Sequence, residues 1–356
     1  MVSVATYCDA SDAALETLLL PLATGAVALP KNGRVLFLRA RVGAALPAMA
    51  RQWTFEQSFR PFADALQHAG LEVSATATSE PDFELLLLLP PRQREEARAL
   101  LARALQCVAP GGMVLASMLN TEGARSLETD LERLAGPTQS LSKNKCRAVW
   151  CWVDPAHIDQ ALLARWTQLD APRAIADGRF LSRPGLFAWD RIDPGSALLA
   201  HCLPAELRGR GADLGAGFGY LAAEVLARCP GVVSLDLYEA EARALELARI
   251  NMASLPARFT PCALGYHWHD VSTGLPTQYD FIVSNPPFHQ GRADQPQLGR
   301  AFITAAAAAL RPGGSLWLVA NRHLPYEAAL AQGFSQVRTV RESDGFKIIE
   351  AIRAGS

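Results

Sequence analysis

The stretch Gly211-Ala-Asp213-Leu-Gly215-Ala-Gly217-Phe-Gly219-Tyr-Leu221 decides how this chain reads. An apolar strand end runs into a turn with glycines at 215, 217 and 219, and a helix is expected from Leu221 to Cys229. Glycine is needed where a backbone must turn sharply and let a ligand approach with no Cβ in the way. A second apolar strand, Val232 to Tyr238, leads to Glu239, 22 positions past Gly217. A carboxylate there can accept hydrogen bonds from both ribose hydroxyls of a nucleoside. The dinucleotide fingerprint has glycines at its first, third and sixth positions. Here they fall at the first, third and fifth, with Asp213 two residues before the first. No lysine follows as it does in a phosphate-cradling loop.

Further on, Asp280-Phe-Ile-Val-Ser284 reads as a buried strand and closes on Asn285-Pro286-Pro287-Phe288. The Asn285 side-chain oxygen and the Pro286 carbonyl can accept both hydrogens of a planar –NH2 group, and Phe288 can stack on the ring that carries it. Each of these residues also has a plainer role. Prolines after a strand punctuate loops. Asp213 can cap the following turn, Asp270 can serve a surface turn, and Phe288 can be core. Glu239 can face the N-terminus of a helix expected over Ala240 to Asn251.

Together, Asp213-x-Gly-x-Gly-x-Gly219, Glu239, Asp270 and Asn285-Pro-Pro-Phe288 resemble the class I S-adenosylmethionine-dependent methyltransferases, in particular those acting on planar nitrogens. More narrowly, Pro184-Gly-Leu-Phe187, Asp193-Pro-Gly-Ser196, Asn285-Pro-Pro-Phe-His289, Val319-Ala-Asn-Arg-His-Leu-Pro-Tyr326 and Gly345-Phe-Lys347 resemble the RsmC/RlmG family, bacterial ribosomal RNA guanine-N2 methyltransferases. The resemblance spans about residues 180–353 and is only architectural before that. It implies S-adenosyl-L-methionine as cofactor, with Asp213 near the donor's amino-acid end and Gly215, Gly217 and Gly219 forming the loop around it. Glu239 would meet the ribose, and Asp270 with Val271 the adenine. Asn285, Pro286 and Phe288 would be the catalytic residues. The implied partner is ribosomal RNA or a ribosomal subunit, the small subunit ahead of the large. A release-factor glutamine or an adenine would use the same Asn-Pro-Pro logic, and a nucleoside- or RNA-binding module without activity is the non-enzymatic rival.

A weak internal repeat organises the rest. Asp82-Phe83 runs through leucines to Leu89-Pro90-Pro91, a helical stretch, then Pro110-Gly111-Gly112 and an apolar run. Asp280-Phe281 runs to Asn285-Pro286-Pro287, a helical stretch (Ala301 to Leu310), then Pro312-Gly313-Gly314 and another apolar run. Leu89 stands where the second copy has Asn285, and the strand Gly33 to Arg39 is followed by no glycine-rich turn. A leucine has no amide to offer an amine. The expected architecture is α/β: two tandem Rossmann-like class I methyltransferase domains, the N-terminal one (1–175) degenerate and used for RNA binding or structural support, the catalytic one 176–356. Near-continuous apolar strands alternating with helices imply mostly parallel sheets covered on both faces.

The bulk properties add bounds. At 356 residues the chain can hold two domains, and 50% hydrophobic residues support a sizeable core. Seven scattered cysteines without a CxxC suit a reducing cytosol and argue against a zinc or disulfide framework. The run Leu85 to Leu89 is far too short to span a bilayer, and no signal peptide is visible, so a cytoplasmic protein with no membrane partner is expected, as a monomer. His267 and His269 would share a face on a strand, but no third ligand is spaced for a metal, and none is expected. A net charge of −1 is poor support for a nucleic-acid binder by itself. Two of the four lysines, however, sit in Ser142-Lys143-Asn-Lys145-Cys-Arg147. This cluster and Arg292, just past the catalytic loop, are the candidate phosphate contacts.

Overall fold

The computed structural model describes residues 12–30, 34–43, 46, 48–76, 83–255, 262–287, 289–290, 293–294 and 296–355. It divides into two compact units, one holding Arg173–Ser182 with Leu186–Ser356, the other Val4–Pro172 with Arg183–Gly185.

The first unit is built on β1 (Val35–Leu38), β2 (Thr54–Glu56), β3 (Val73–Ser74), β4 (Phe83–Leu88), β5 (Val108–Leu119), β6 (Gln139–Lys143) and β7 (Cys146–Trp152), in the order β3-β2-β1-β4-β5-β7-β6. A short hairpin follows, β8 (Arg173–Ile175) with β9 (Phe180–Ser182), which packs with the second unit; the division expected at 175/176 falls at the end of β8. The second sheet comprises β10 (Arg208–Leu214), β11 (Gly231–Glu239), β12 (Ala263–Trp268), β13 (Tyr279–Ser284), β16 (Leu310–Asn321), β17 (Gln336–Ser343) and β18 (Phe346–Ile352), with the two-residue strands β14 (His289–Gln290) and β15 (Ala293–Asp294) forming a separate pair. Its order, β12-β11-β10-β13-β16-β18-β17, repeats the first strand for strand. In each sheet only the next-to-last strand, β7 or β18, runs antiparallel to its two neighbours, and the other pairings are parallel.

Burial on both faces explains why these strands read as unbroken apolar runs. Successive side chains point to opposite faces, so Leu36 and Leu38 enter one core while Val35 and Phe37 enter the other. In the second sheet Phe281 and Val283 divide likewise from Ile282. Burying a side chain such as Phe281, 1% exposed, stabilises by about 1.5–3 kcal/mol.

The repeat extends to backbone detail. Gly111 and Gly313 both take positive φ, +82° and +77°. A Cβ on Gly112 would stand 2.9 Å from the Glu84 carbonyl, and one on Gly314 would stand 2.9 Å from the Asp280 carbonyl. Leu38 pairs with Leu88 and Leu214 with Ser284, which puts Leu89 and Asn285 at the same place in their sheets.

Several helices differ from expectation at their ends. The helix after the glycine turn is Tyr220–Arg228. The next is Ala242–Ala253, two residues late, because Glu241 caps it by accepting from the Arg243 N–H. After β7 comes the helix Gln160–Thr167 with a 3-10 turn behind it. That expected from Ala301 begins at Pro296, a proline at a first helical position.

Candidate methyl-donor and amine site

Four neighbouring strands, β12, β11, β10 and β13, end along one edge of the second sheet. At or just past their carboxyl ends come Asp270, Glu239, the glycine loop and Asn285. This is the edge at which open α/β sheets hold ligands.

The loop is set by its glycines. Gly215, Gly217 and Gly219 have φ of +75°, +55° and +93°, the left-handed region that glycine enters without a Cβ clash. The Gly215 and Ala216 N–H groups donate to the Tyr238 carbonyl at 2.9 and 3.0 Å, tying the loop to β11. A Cβ on Gly219 would press on Met252 and Ala248, whereas one on Gly217 would meet nothing within 4 Å. Gly217 therefore borders open space.

Asp213 lies fully buried at the end of β10. Its Oδ2 accepts from the Ala222 N–H at 3.0 Å, capping the following helix. Its Oδ1 is buried with no hydrogen-bond partner among the described residues. Burial, reinforced by the nearby Glu239 carboxylate, pushes the Asp213 carboxyl up to about 7, against the Ala222 hydrogen bond. One oxygen is thus spent on the cap, and the other is a buried acceptor of the kind that suits an ammonium group.

Glu239 is tied to backbone. Oε2 accepts from the Gly217 N–H (2.7 Å) and Oε1 from the Glu241 N–H (2.8 Å). Burial raises its pKa against these bonds. Each oxygen retains a lone pair for a hydroxyl. Asp270 caps the turn Val271–Thr273 by accepting from Ser272 N–H at 2.9 Å. Val271 is buried against the core behind β13, so its backbone is what it can offer a ligand. His267 stacks on Tyr238 with centroids 4.4 Å apart, and His269 meets the same ring edge-on at 5.5 Å. Among the described residues no three His, Cys, Asp or Glu are grouped to hold a metal ion.

Asn285 is half-buried, with Pro286 buried and Pro287 exposed. The Asn285 Nδ2 donates to Asp193 Oδ2 at 3.0 Å and to Ser196 Oγ at 2.8 Å. Asp193 Oδ2 also accepts from the Ser196 N–H at 2.8 Å, capping the helix Pro194–Cys202. In the sequence Asp193-Pro-Gly-Ser196 stands out only as a family motif, with nothing to show what it holds. An Asp three residues before a Ser at a helix start signals a cap; nothing local signals a partner 92 residues on. Phe288 and Arg292 lie outside the described residues.

In the first unit the matching positions carry other groups. Arg39, φ +53°, follows β1 where Gly215 follows β10, and pairs with Glu96 at 2.9 Å. Arg41, matching Gly217, pairs with Asp12 at 2.8 Å and lies over the Phe62 ring. Gln57 matches Glu239: its Oε1 accepts from Phe59 N–H, two residues on, and its Nε2 donates to the Ala40 carbonyl. Asp12 caps the helix Ala13–Ala23 through the Leu15 N–H, as Asp193 caps its own helix. Of the basic cluster, Lys143 and Lys145 are exposed at the β6–β7 turn, while Arg147 is half-buried and paired with Glu128.

A glycine loop and an acidic strand end beside an Asn-Pro-Pro loop define a class I methyltransferase site, and residues 177–350 match the family model described as the methyltransferase small domain. A large-subunit ribosomal RNA methyltransferase G from Streptomyces avermitilis is 31% identical, over 97% of this chain and 92% of its own length. A small-subunit ribosomal RNA methyltransferase C from Pseudomonas aeruginosa is 32% identical, over 75% of this chain and 79% of its own. Among solved structures, the Thermus (T. thermophilus) 16S rRNA N2 G1207 methyltransferase RsmC, in complex with AdoMet and guanosine, superposes with a TM-score of 0.77 at 22% identity, covering 96% of this chain and 92% of that one. The chain belongs to the RsmC/RlmG family of bacterial ribosomal RNA methyltransferases.

Proposed function

We propose that the second unit methylates the exocyclic N2 amine of a guanine in ribosomal RNA, using S-adenosyl-L-methionine, with small-subunit RNA ahead of large-subunit RNA as substrate. The observation that carries this reading is the Asn285 amide at the end of β13, with both N–H bonds held by Asp193 and Ser196. That leaves Oδ1 turned to the opposite side as an acceptor. The large-subunit reading is supported by the methyltransferase G relative, which spans nearly the whole chain.

The donor supplies an activated methyl group on a sulfonium. Everything else falls to the chain. The buried Asp213 Oδ1 suits the donor's ammonium, Gly215 to Gly219 leave room for its backbone-like end, Glu239 suits the ribose hydroxyls, and Asp270 with the Val271 backbone suits the adenine edge. The guanine amine is a poor nucleophile because its lone pair is drained into the ring. Asn285 Oδ1 and the Pro286 carbonyl would accept its two N–H bonds and aim the lone pair in line with the methyl group; as N–CH3 forms, S–CH3 breaks and the surplus proton on nitrogen leaves to water, so catalysis is positioning and electrostatics. The base must leave its stack to reach this edge, and Phe288 would replace the lost stacking. Lys143, Lys145, Arg147 and Arg292 are the proposed phosphate contacts, with Arg147 the weakest, since Glu128 already engages it. The protein is taken to work as a cytoplasmic monomer.

Replacing Asn285 with Ala should cut methyl transfer at least about a hundredfold, roughly one positioned transition-state contact, while donor affinity measured by calorimetry stays unchanged. Donor binding lost together with transfer would move Asn285 from the chemistry to the cofactor.

The first unit is proposed to be a methyltransferase fold whose own side chains have replaced a donor site: Arg39 and Arg41 for two loop glycines, Gln57 for the ribose carboxylate and Leu89 for the amide. Its remaining work is to grip RNA or support its partner. Calorimetric titration with donor should give one equivalent bound per chain; two equivalents would refute the degenerate reading.

A further inference from the structure

We infer that Asp193 and Ser196 are positioning residues for methyl transfer, holding the Asn285 amide so that its oxygen, and not its nitrogen, meets the acceptor amine. The inference rests on the proposed role of Asn285.

An asparagine amide is nearly symmetric in shape, and a half-turn about its last torsion exchanges an acceptor for a pair of donors. Only one of the two orientations can receive an –NH2 group; the other sets donor against donor. The partners decide between them. A carboxylate only accepts, so Asp193 Oδ2, 3.0 Å away, admits Nδ2 and repels Oδ1. Ser196 Oγ at 2.8 Å takes the second N–H. The carboxylate is itself fixed by the Ser196 N–H, and Gly195 leaves it room: a Cβ there would stand 3.1 Å from Asp193 Oδ2 and 2.9 Å from the Phe346 ring. An N–H bond to an anion also polarises the amide and makes its oxygen a stronger acceptor.

The first unit carries the contrast. Asp12 keeps the capping half of the arrangement through Leu15 N–H, but Leu15 has no hydroxyl, Leu89 has no amide, and Asp12 pairs with Arg41 instead. Capping alone therefore explains the aspartate and leaves Ser196 unexplained. Where there is an amide to hold, all three groups are present.

The test uses full-length protein with three substitutions. Ser196→Ala removes one acceptor without touching the cap. Asp193→Ser keeps a good capping residue but is too short to reach Asn285. Asp193→Asn keeps an oxygen at the right distance and serves as the conservative rescue. Expected single-turnover rates fall about tenfold for Ser196→Ala, the size of one hydrogen bond, and at least as far for Asp193→Ser, with donor Kd, KM for RNA and melting temperature held. Asp193→Asn should recover most of the rate. Either loss should nearly vanish when measured on top of Asn285→Ala, because the clamp has nothing left to hold. Undiminished rates in Ser196→Ala and Asp193→Ser, or losses that add fully to that of Asn285→Ala, would overturn the inference. A wild-type protein that transfers no methyl group would overturn the functional reading beneath it, a distinct result.

Discussion

Asp213 shows how one buried side chain can report on the whole site. Its carboxyl is raised from 3.8 to about 7, so in the donor-free protein it is protonated through mildly acidic pH. Raised in the folded state, it favours folding below its ordinary pKa, and that contribution is lost as pH climbs from 3.8 through about 7. An ammonium placed on Oδ1 would lower the pKa again, and binding below 7 must then release a proton. Donor affinity should therefore rise with pH, by up to about tenfold per unit, and level off near 7. Asp213→Asn should bind donor weakly and without that slope. An unchanged slope in the variant would move the titrating group elsewhere. Asp213, Glu239 and the glycines were legible because each sits at or just past a strand end in an apolar setting where a charge or a missing Cβ is conspicuous. The Asn285 clamp was not, because its partners lie 89 and 92 residues away in sequence and only folding brings them together.

At the scale of elements, hydrophobic runs found the strands and left helix ends imprecise by one to five residues, since side-chain caps such as Glu241 set the ends. The family's terminal motifs acquire structural roles here. Lys347, 6% exposed, donates to the Leu324 carbonyl at 3.1 Å and pairs with Glu327 at 2.6 Å. That pins the segment after β16 to β18. Tyr326 is fully buried in the same segment, and a Cβ on Gly299, in the helix Pro296–Ala309, would run into its Oη. Alanine is the better helix former, yet Gly299→Ala should destabilise the protein by about 1–3 kcal/mol through overpacking. Thermal unfolding checks this; a variant as stable as wild type would show that Tyr326 has room to move.

Over the whole molecule, two units of one topology carry different side chains at matching positions. The repeat was visible from Asp82 to Pro110 and from Asp280 to Pro312, because a strand, a Pro-Pro turn and a Pro-Gly-Gly turn leave marks at fixed places. The missing glycine turn after Arg39 was visible too, but the pairs that Arg39 and Arg41 make there with Glu96 and Asp12 were not, because only folding brings those partners together. The proposed reaction needs a single working edge, β12-β11-β10-β13, and one amide that accepts an amine. The most direct test offers labelled S-adenosylmethionine with unmodified small subunits, large subunits, free ribosomal RNA and release factor in parallel, then digests the product and identifies the labelled residue by mass. N2-methylguanosine from one ribosomal RNA species is the predicted result. Label in adenine or in a release-factor glutamine, or no label anywhere with donor binding intact, would contradict it.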